Sequence, residues 1–334
     1  MLASLYMYID VARPETWDEL NDSLKMQIGL PDPLRARAFK GLAHAVFEIT
    51  QGSAQFMAHK KAIGCIKGQT PTFENLLPYY YKETYEVNLI SHLQLQDVKG
   101  WVDGLKKDTN FVVFAEDHPV TGEIYPFVEE LDKLLNEKRI YSFRISHARH
   151  FYENVEVRPY SVRLCSYTGN LAIAVLGERF RCPPMFVQNM DWNHAEVLQE
   201  VVVAREGRVV NPSLVGAFEA SMLDICKGYF DSEKLRVFDR AVLVFKDTSA
   251  EALAEKVFAK LGLSSEEGWT MVDSTNMCKW SGVKMFNQWW EPKPSNETLR
   301  GLLVAGIEIL ENPQFAKAIR ESLKELLEEQ TWSV

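Results

Sequence analysis

Hydrophobic positions along the chain change period several times, and the changes mark off elements. Leu34, Ala38, Leu42, Ala45, Val46 and Ile49 recur at helical spacing and predict a helix across residues 32–60. A short apolar piece follows at 62–66. The turn Lys67-Gly68-Gln69-Thr70 then leads into a second predicted helix, with Thr70 as its cap and Pro71 at its first position. Residues 85–90 predict a strand and 97–106 a helix. Phe111-Val112-Val113-Phe114-Ala115 is continuously apolar, as a strand buried on both faces must be. A helix at 127–137 and strands at 140–145, 161–165 and 171–176 complete this part. Strand–helix–strand alternation at this spacing predicts a parallel sheet covered by helices.

The pattern changes beyond about residue 184. Predicted there are a long helix (213–230), a strand (241–245), a helix (250–261), strands at 269–272 and 282–286, and two amphipathic helices at 297–310 and 313–329. The expected architecture is an α/β class three-layer α/β/α sandwich with a mostly parallel sheet, plus a smaller α+β C-terminal domain. Its expected divisions are an N-terminal segment (1–40) packing on the small domain, a large α/β domain (41–210) and a small domain (211–334).

Composition narrows the function classes. The chain has 334 residues, 46% of them hydrophobic and 25% charged, with a net charge of −9. That is globular composition, and its acidity argues against a nucleic-acid backbone as partner. No apolar run is long enough to span a bilayer, and the first residues lack a basic leader pattern. The five cysteines are scattered without a C-x-x-C pair, so neither a zinc knuckle nor a disulfide framework is expected, and a reducing cytoplasmic setting is. Nucleophile-elbow, Walker, dinucleotide-binding and zinc-protease motifs are absent from the sequence.

Four segments stand out in order: Gly64 to Pro71, His118 to Glu123, Ser146 to Arg149, and Thr168 to Leu171 with Gly177 to Arg179. Together they resemble landmarks of the fold-type I aminotransferase superfamily, whose members use pyridoxal phosphate. Gly64-Cys65-Ile66-Lys67-Gly68-Gln69-Thr70-Pro71 is similar to the loop at a helix start that holds the cofactor phosphate. His118-Pro119-Val120-Thr121-Gly122-Glu123 resembles the family's Asn-Pro-x-Thr-Gly loop, with His118 in place of the asparagine that donates to the cofactor's ring hydroxyl. Ser146-His147-Ala148-Arg149 stands where the family carries Asp-x-Ala-Tyr, which puts Ser146 in the slot of the carboxylate that pairs with the pyridinium nitrogen. Thr168-Gly169-Asn170-Leu171 and Gly177-Glu178-Arg179 resemble the Ser-x-Ser-Lys and Gly-x-Arg pair, with Arg179 as the phosphate grip. Counting back eight positions from Arg179 puts Leu171 where the Schiff-base lysine is expected, and no lysine occurs between Lys138 and Lys227. Lys284 is the nearest match by position to the arginine that meets the substrate carboxylate.

The resemblance implies a homodimer and a cofactor site built from Gly68, Gln69, Thr70, His118, Ser146, Thr168 and Arg179, with Lys284 toward substrate. Leucine can neither form an imine nor move a proton. The first expectation is therefore an aminotransferase-like protein without conventional transaminase activity, one that binds a protein partner or a phosphorylated small molecule, the latter held non-covalently through Arg179 and the Thr70 helix start. A second is an active pyridoxal-phosphate enzyme with a displaced lysine, for which Lys60, Lys61 and Lys67 are nearest the phosphate loop. A third is a structural homodimer whose cleft is filled. His147 and His150 suit two metal ligands only on a helix, and no metal is expected.

Overall fold

The computed structural model describes residues 17–69, 81, 83–147, 156–166, 171–182, 212–228, 236, 240–272, 291–292 and 294–331. A seven-stranded sheet organises the first part of the chain. Its strands are β1 (Arg35–Phe39), β2 (Ala62–Lys67), β3 (Glu86–Ser91), β4 (Thr109–Ala115), β5 (Tyr141–Ser146), β6 (Ser161–Ser166) and β7 (Ala172–Leu176), in the spatial order β1-β7-β6-β5-β4-β2-β3. β3, β2, β4, β5 and β6 are parallel neighbours, while β7 runs antiparallel to both β6 and β1. The described helices flanking it are α1 (Trp17–Gln27), α2 (Leu42–Phe56), α3 (Val98–Asp103) and α4 (Val128–Glu137).

Alternation along the central strands decides what each face does. Phe111 and Phe143 pack against each other on one face, where Phe111 also meets Tyr81 and Phe143 meets Phe180. Arg144 and Arg163 lie opposite each other in the alternate rows and face α4, which presents Glu129 and Asp132 to Arg144. This α/β sandwich is the expected fold class.

A second, wholly antiparallel sheet has the order β10-β9-β8, with β8 (Lys227–Gly228), β9 (Arg240–Val244) and β10 (Leu302–Gly306). Around it lie α5 (Pro212–Met222), α6 (Ala250–Leu261), α7 (Ser265–Val272), α8 (Asn296–Arg300), α9 (Ile307–Leu310) and α10 (Phe315–Thr331). It has its own apolar core, in which Phe245, Phe258, Leu303 and Ile319 are prominent. α6 is bounded as its sequence predicts: the Ser249 hydroxyl accepts from the Ala252 N–H, and Gly262 closes the other end in the left-handed conformation.

Five expectations change. The helix predicted over 213–230 ends at Met222, and Lys227–Gly228 form β8 because they pair with β9. Residues 35–39 form a strand where a helix was predicted, because β1 completes the sheet edge and its Ala36 and Ala38 are buried while the alternating Arg35 and Arg37 turn outward. That same pairing places this part of the 1–40 segment on the large sheet instead of the small one. Residues 265–272 are helical, so the 269–272 strand is overturned. The helix predicted over 297–310 is broken into α8, β10 and α9, because the run Leu302-Leu303-Val304-Ala305 is buried against β9. The strand expected at 282–286 and the helix beginning at Pro71 lie outside the described residues.

Candidate functional site

The carboxyl ends of parallel strands are where an α/β sheet most often binds ligands. Here that edge is made by the segments following β2, β4 and β5. Immediately after β2, Gly68 adopts φ +84°, and a Cβ on it would sit 2.6 Å from His92 Nδ1 and 2.7 Å from Glu291 Oε2. Only glycine fits, on both conformational and steric grounds. Glu291 also accepts from the Ser91 hydroxyl, so a residue from late in the chain is seated at the end of β3. Gln69 is buried and turned onto β4: its Nε2 donates to the Ala115 carbonyl at 3.2 Å, and its Oε1 accepts from the Ala115 N–H at 3.0 Å.

The loop after β4 folds tightly on itself. The Gly122 N–H donates to the His118 carbonyl at 2.8 Å and the His118 N–H to the Glu123 carbonyl at 2.8 Å. The buried His118 ring accepts at Nδ1 from the Val120 and Thr121 N–H groups, both at 3.2 Å. An accepting Nδ1 carries no proton, so the neutral ring presents its N–H at Nε2. Asp117 holds the next strand end: its Oδ1 accepts from the His147 N–H at 2.9 Å, and its carbonyl lies 3.0 Å from His147 Nδ1, which donates to it.

Arg240, the first residue of β9, enters between these loops. Its guanidinium is buried, donating to the Pro119 carbonyl and, at 3.1 Å, to the His147 carbonyl. Beside it Val120 packs on Val242, Leu302 and Val304. Arg236 secures the backbone of this entry by donating to the Arg240 carbonyl at 2.8 Å and pairing with the buried Glu219. One end of the second sheet is thereby tied to the loops that follow β4 and β5.

Behind this edge lies a compensated charge cluster. Glu116 receives Arg144 Nε at 2.6 Å and Arg163 Nη2 at 2.7 Å. Burial alone would push the Glu116 carboxyl up, but Arg163 and Arg144 together outweigh it and hold the group below the ordinary carboxylate range. Arg144 also reaches Asp132 at 3.1 Å and Glu129 at 2.7 Å. Cys165, at the end of β6, is pushed up to about 11 chiefly by burial, so it is a packed thiol and no poised nucleophile.

The residues expected to form one site separate. Gly68, Gln69, His118 and Ser146 lie at the carboxyl edge, with Ser146 buried as the last residue of β5. Arg179 does not join them. The Gly177 N–H donates to the Ser161 carbonyl and the Arg179 N–H to the Pro159 carbonyl, at the start of β6, so Arg179 stands at the opposite edge of the sheet. All of β7 separates it from Leu171, because β7 is antiparallel and carries the chain away. Gly177 is a packing glycine: a Cβ there would lie 2.1 Å from the Arg158 carbonyl oxygen. Leu171 is 1% exposed. Of the candidate replacement lysines, Lys67 ends β2 at the carboxyl edge, whereas Lys60 and Lys61 precede that strand. Thr70, Thr168, Lys284 and His150 lie outside the described residues. No group of three or more metal-ligating side chains occurs among the described residues, and none of their helices is long and apolar enough to cross a membrane. Sequence reasoning missed Asp117, Arg240 and Glu291. Asp117 adjoins a quoted motif, but nothing local marks the other two, which act across long sequence separations.

No protein-family model matches the chain, and no curated protein matches it in sequence. Solved structures do match in fold. A NifS-like protein aligns with TM-score 0.63 at 10% identity, covering 95% of this chain and 87% of that one. A phosphoserine aminotransferase from Cytophaga hutchinsonii aligns with TM-score 0.55 at 11% identity, covering 94% and 90%. A putative O-acetylhomoserine (thiol)-lyase from Campylobacter jejuni, whose structure contains a pyridoxyl-lysine monophosphate, aligns with TM-score 0.51 at 12% identity, covering 92% and 86%. The chain has the fold of the pyridoxal-phosphate-dependent fold-type I enzymes.

Proposed function

We propose that this chain is an aminotransferase-like protein of that fold which does not carry out conventional transamination. The observation that carries the reading is the absence of lysine from residues 139–226, a stretch that includes the connection from β6 to β7 and the buried Leu171 just before β7. The other described groups agree with it. Bound pyridoxal phosphate supplies an electron sink, which needs an amine to join it, a carboxylate against its ring nitrogen and a grip on its phosphate. The corresponding residues are a leucine, the hydroxyl of Ser146 and an arginine at the far edge of the sheet. The described donor set therefore does not fit the cofactor, and no catalytic step is derived through it. Arg240 ties the loops after β4 and β5 to the second sheet, and the Asp117–His147 bonds tie those two loops to each other.

The test is to incubate the purified chain with pyridoxal phosphate, reduce with borohydride and locate any adduct by mass spectrometry. The expected result is no visible absorbance band and no adduct on any lysine. A stoichiometric adduct on one lysine overturns the reading. The second reading, an active enzyme with a displaced amine, is favoured specifically by Lys67 at the end of β2, and an adduct there is its signature. The homodimer that the resemblance implies belongs to this proposal as well, with light scattering on the purified chain as its check.

A further inference from the structure

The edge of the large sheet opposite the candidate site concentrates positive charge in a chain whose net charge is −9. Arg35 and Arg37 project from β1, and Arg179 and Arg181 follow β7, the strand paired with β1. Arg35, Arg179 and Arg181 are exposed and Arg37 is partly so. Backbone carbonyls orient them. Arg35 Nη2 donates to the carbonyls of Gly177 and Phe180, Arg37 Nη1 to that of Cys182 at 3.0 Å, and Arg181 Nη1 to those of Glu178 and Phe180. Arg179 stacks over the Tyr160 ring at 5.9 Å and donates to its hydroxyl at 3.3 Å. The Tyr141 hydroxyl accepts from the Arg181 N–H at 3.0 Å.

None of these contacts supplies negative charge. Among the described residues no Asp or Glu forms an ion pair with any of the four arginines; Glu178, the acid closest in sequence, is exposed and acts on Arg179 only from a distance. Partial burial lowers the Arg35 pKa, and the neighbouring Arg181 and Arg37 charges lower it further. Arg35, Arg37 and Arg181 act on one another and are held by neutral carbonyls, with Arg179 on the same segment as Arg181, and the electrostatic cost of this arrangement is one that a bound anion would return. Each guanidinium keeps its Nε and one Nη clear of the hydrogen bonds just described, and such forks match phosphoryl oxygens in geometry.

We propose that this edge is an anion site that takes a diphosphate, the arginines of β1 and of the segment after β7 gripping the phosphoryl oxygens and the Tyr141–Tyr160 side bounding it. The site is independent of whether the opposite edge binds a cofactor.

The test is calorimetric titration of the full chain with inorganic pyrophosphate, in parallel with the double variant Arg179→Gln/Arg181→Gln and with Lys317→Gln, which removes an exposed charge on α10. Expected is saturable binding that weakens with added salt, falls by at least about tenfold in the double variant because two charge-assisted contacts are lost, and persists in Lys317→Gln. Circular dichroism confirms that the double variant is folded. A parallel titration with a nucleoside diphosphate separates the two sources of this chemistry: tighter binding than pyrophosphate identifies a nucleotide stacking on the tyrosine side, and equal binding identifies the diphosphate alone. No saturable binding to the wild-type chain overturns the proposal, as does binding that survives the double substitution or is lost equally in Lys317→Gln.

Discussion

Arginines on the large sheet occur in two settings that solve opposite problems. Arg144 and Arg163 stand side by side on β5 and β6, deep in the sandwich, and are met by Glu116, Asp132 and Glu129. Arg35, Arg37, Arg179 and Arg181 gather at the sheet's edge and are met by carbonyls and tyrosines. On the large sheet the guanidiniums that have lost their water are met by formal counter-charge, whereas those still reached by solvent are oriented by neutral acceptors. The buried cluster is therefore structural, and the edge cluster retains charge to offer a ligand.

The largest test of this contrast is Glu116→Gln, which leaves two buried guanidiniums short of a carboxylate. It should destabilise the chain by about 3–5 kcal/mol, seen as a lower urea midpoint. The same carboxylate predicts the acid response. Its pKa is lowered in the folded chain, so its stabilising contribution is complete above the ordinary value of 4.5 and is lost as pH falls through the folded value. Urea midpoints that decline between neutral pH and pH 3 in the wild-type chain, and decline less in Glu116→Gln, are the expected outcome.

Arg240→Leu should come next. It leaves the buried carbonyls of Pro119 and His147 without this donor, at about 1–3 kcal/mol each. Faster amide exchange in the 117–123 loop would localise the loss. Gln69→Leu removes the two bonds to Ala115 and should cost about 1–3 kcal/mol in the same denaturation assay. Arg179→Gln should have the smallest effect, leaving the thermal midpoint essentially unchanged, because its side chain is exposed. A thermal loss for Arg179→Gln as large as that for Glu116→Gln would erase the distinction between the two clusters.

Much of the fold was legible because buried parallel strands must be apolar throughout. Phe111 to Ala115 and the run before Lys67 announce themselves in that way. β1 was not legible. Arg-Ala-Arg-Ala carries the period of a half-buried strand, but the helical spacing of its neighbours overlaps it, and only pairing with β7 decides the matter. β10 was hidden for a related reason: amphipathic helices flank a short apolar run, which becomes a strand because β9 is there to receive it. In the candidate site, Gly68 and His118 were found from their motifs. Arg179 lies apart from them because a Gly-x-Arg match carries no information about strand direction, and β7 takes it to the other edge.

By itself the sequence determined the alternation of strands and helices, the α/β class and the lysine-free stretch that contains Leu171, since these follow from side-chain period and residue identity. The tertiary structure alone decided that Arg240 closes the loops after β4 and β5, that Glu291 reaches β3, and that Arg35 binds the backbone on either side of Arg179, at the edge away from His118. Those outcomes depend on which strands pair and in which direction. That is settled by the burial of whole faces, a property no local stretch of residues contains.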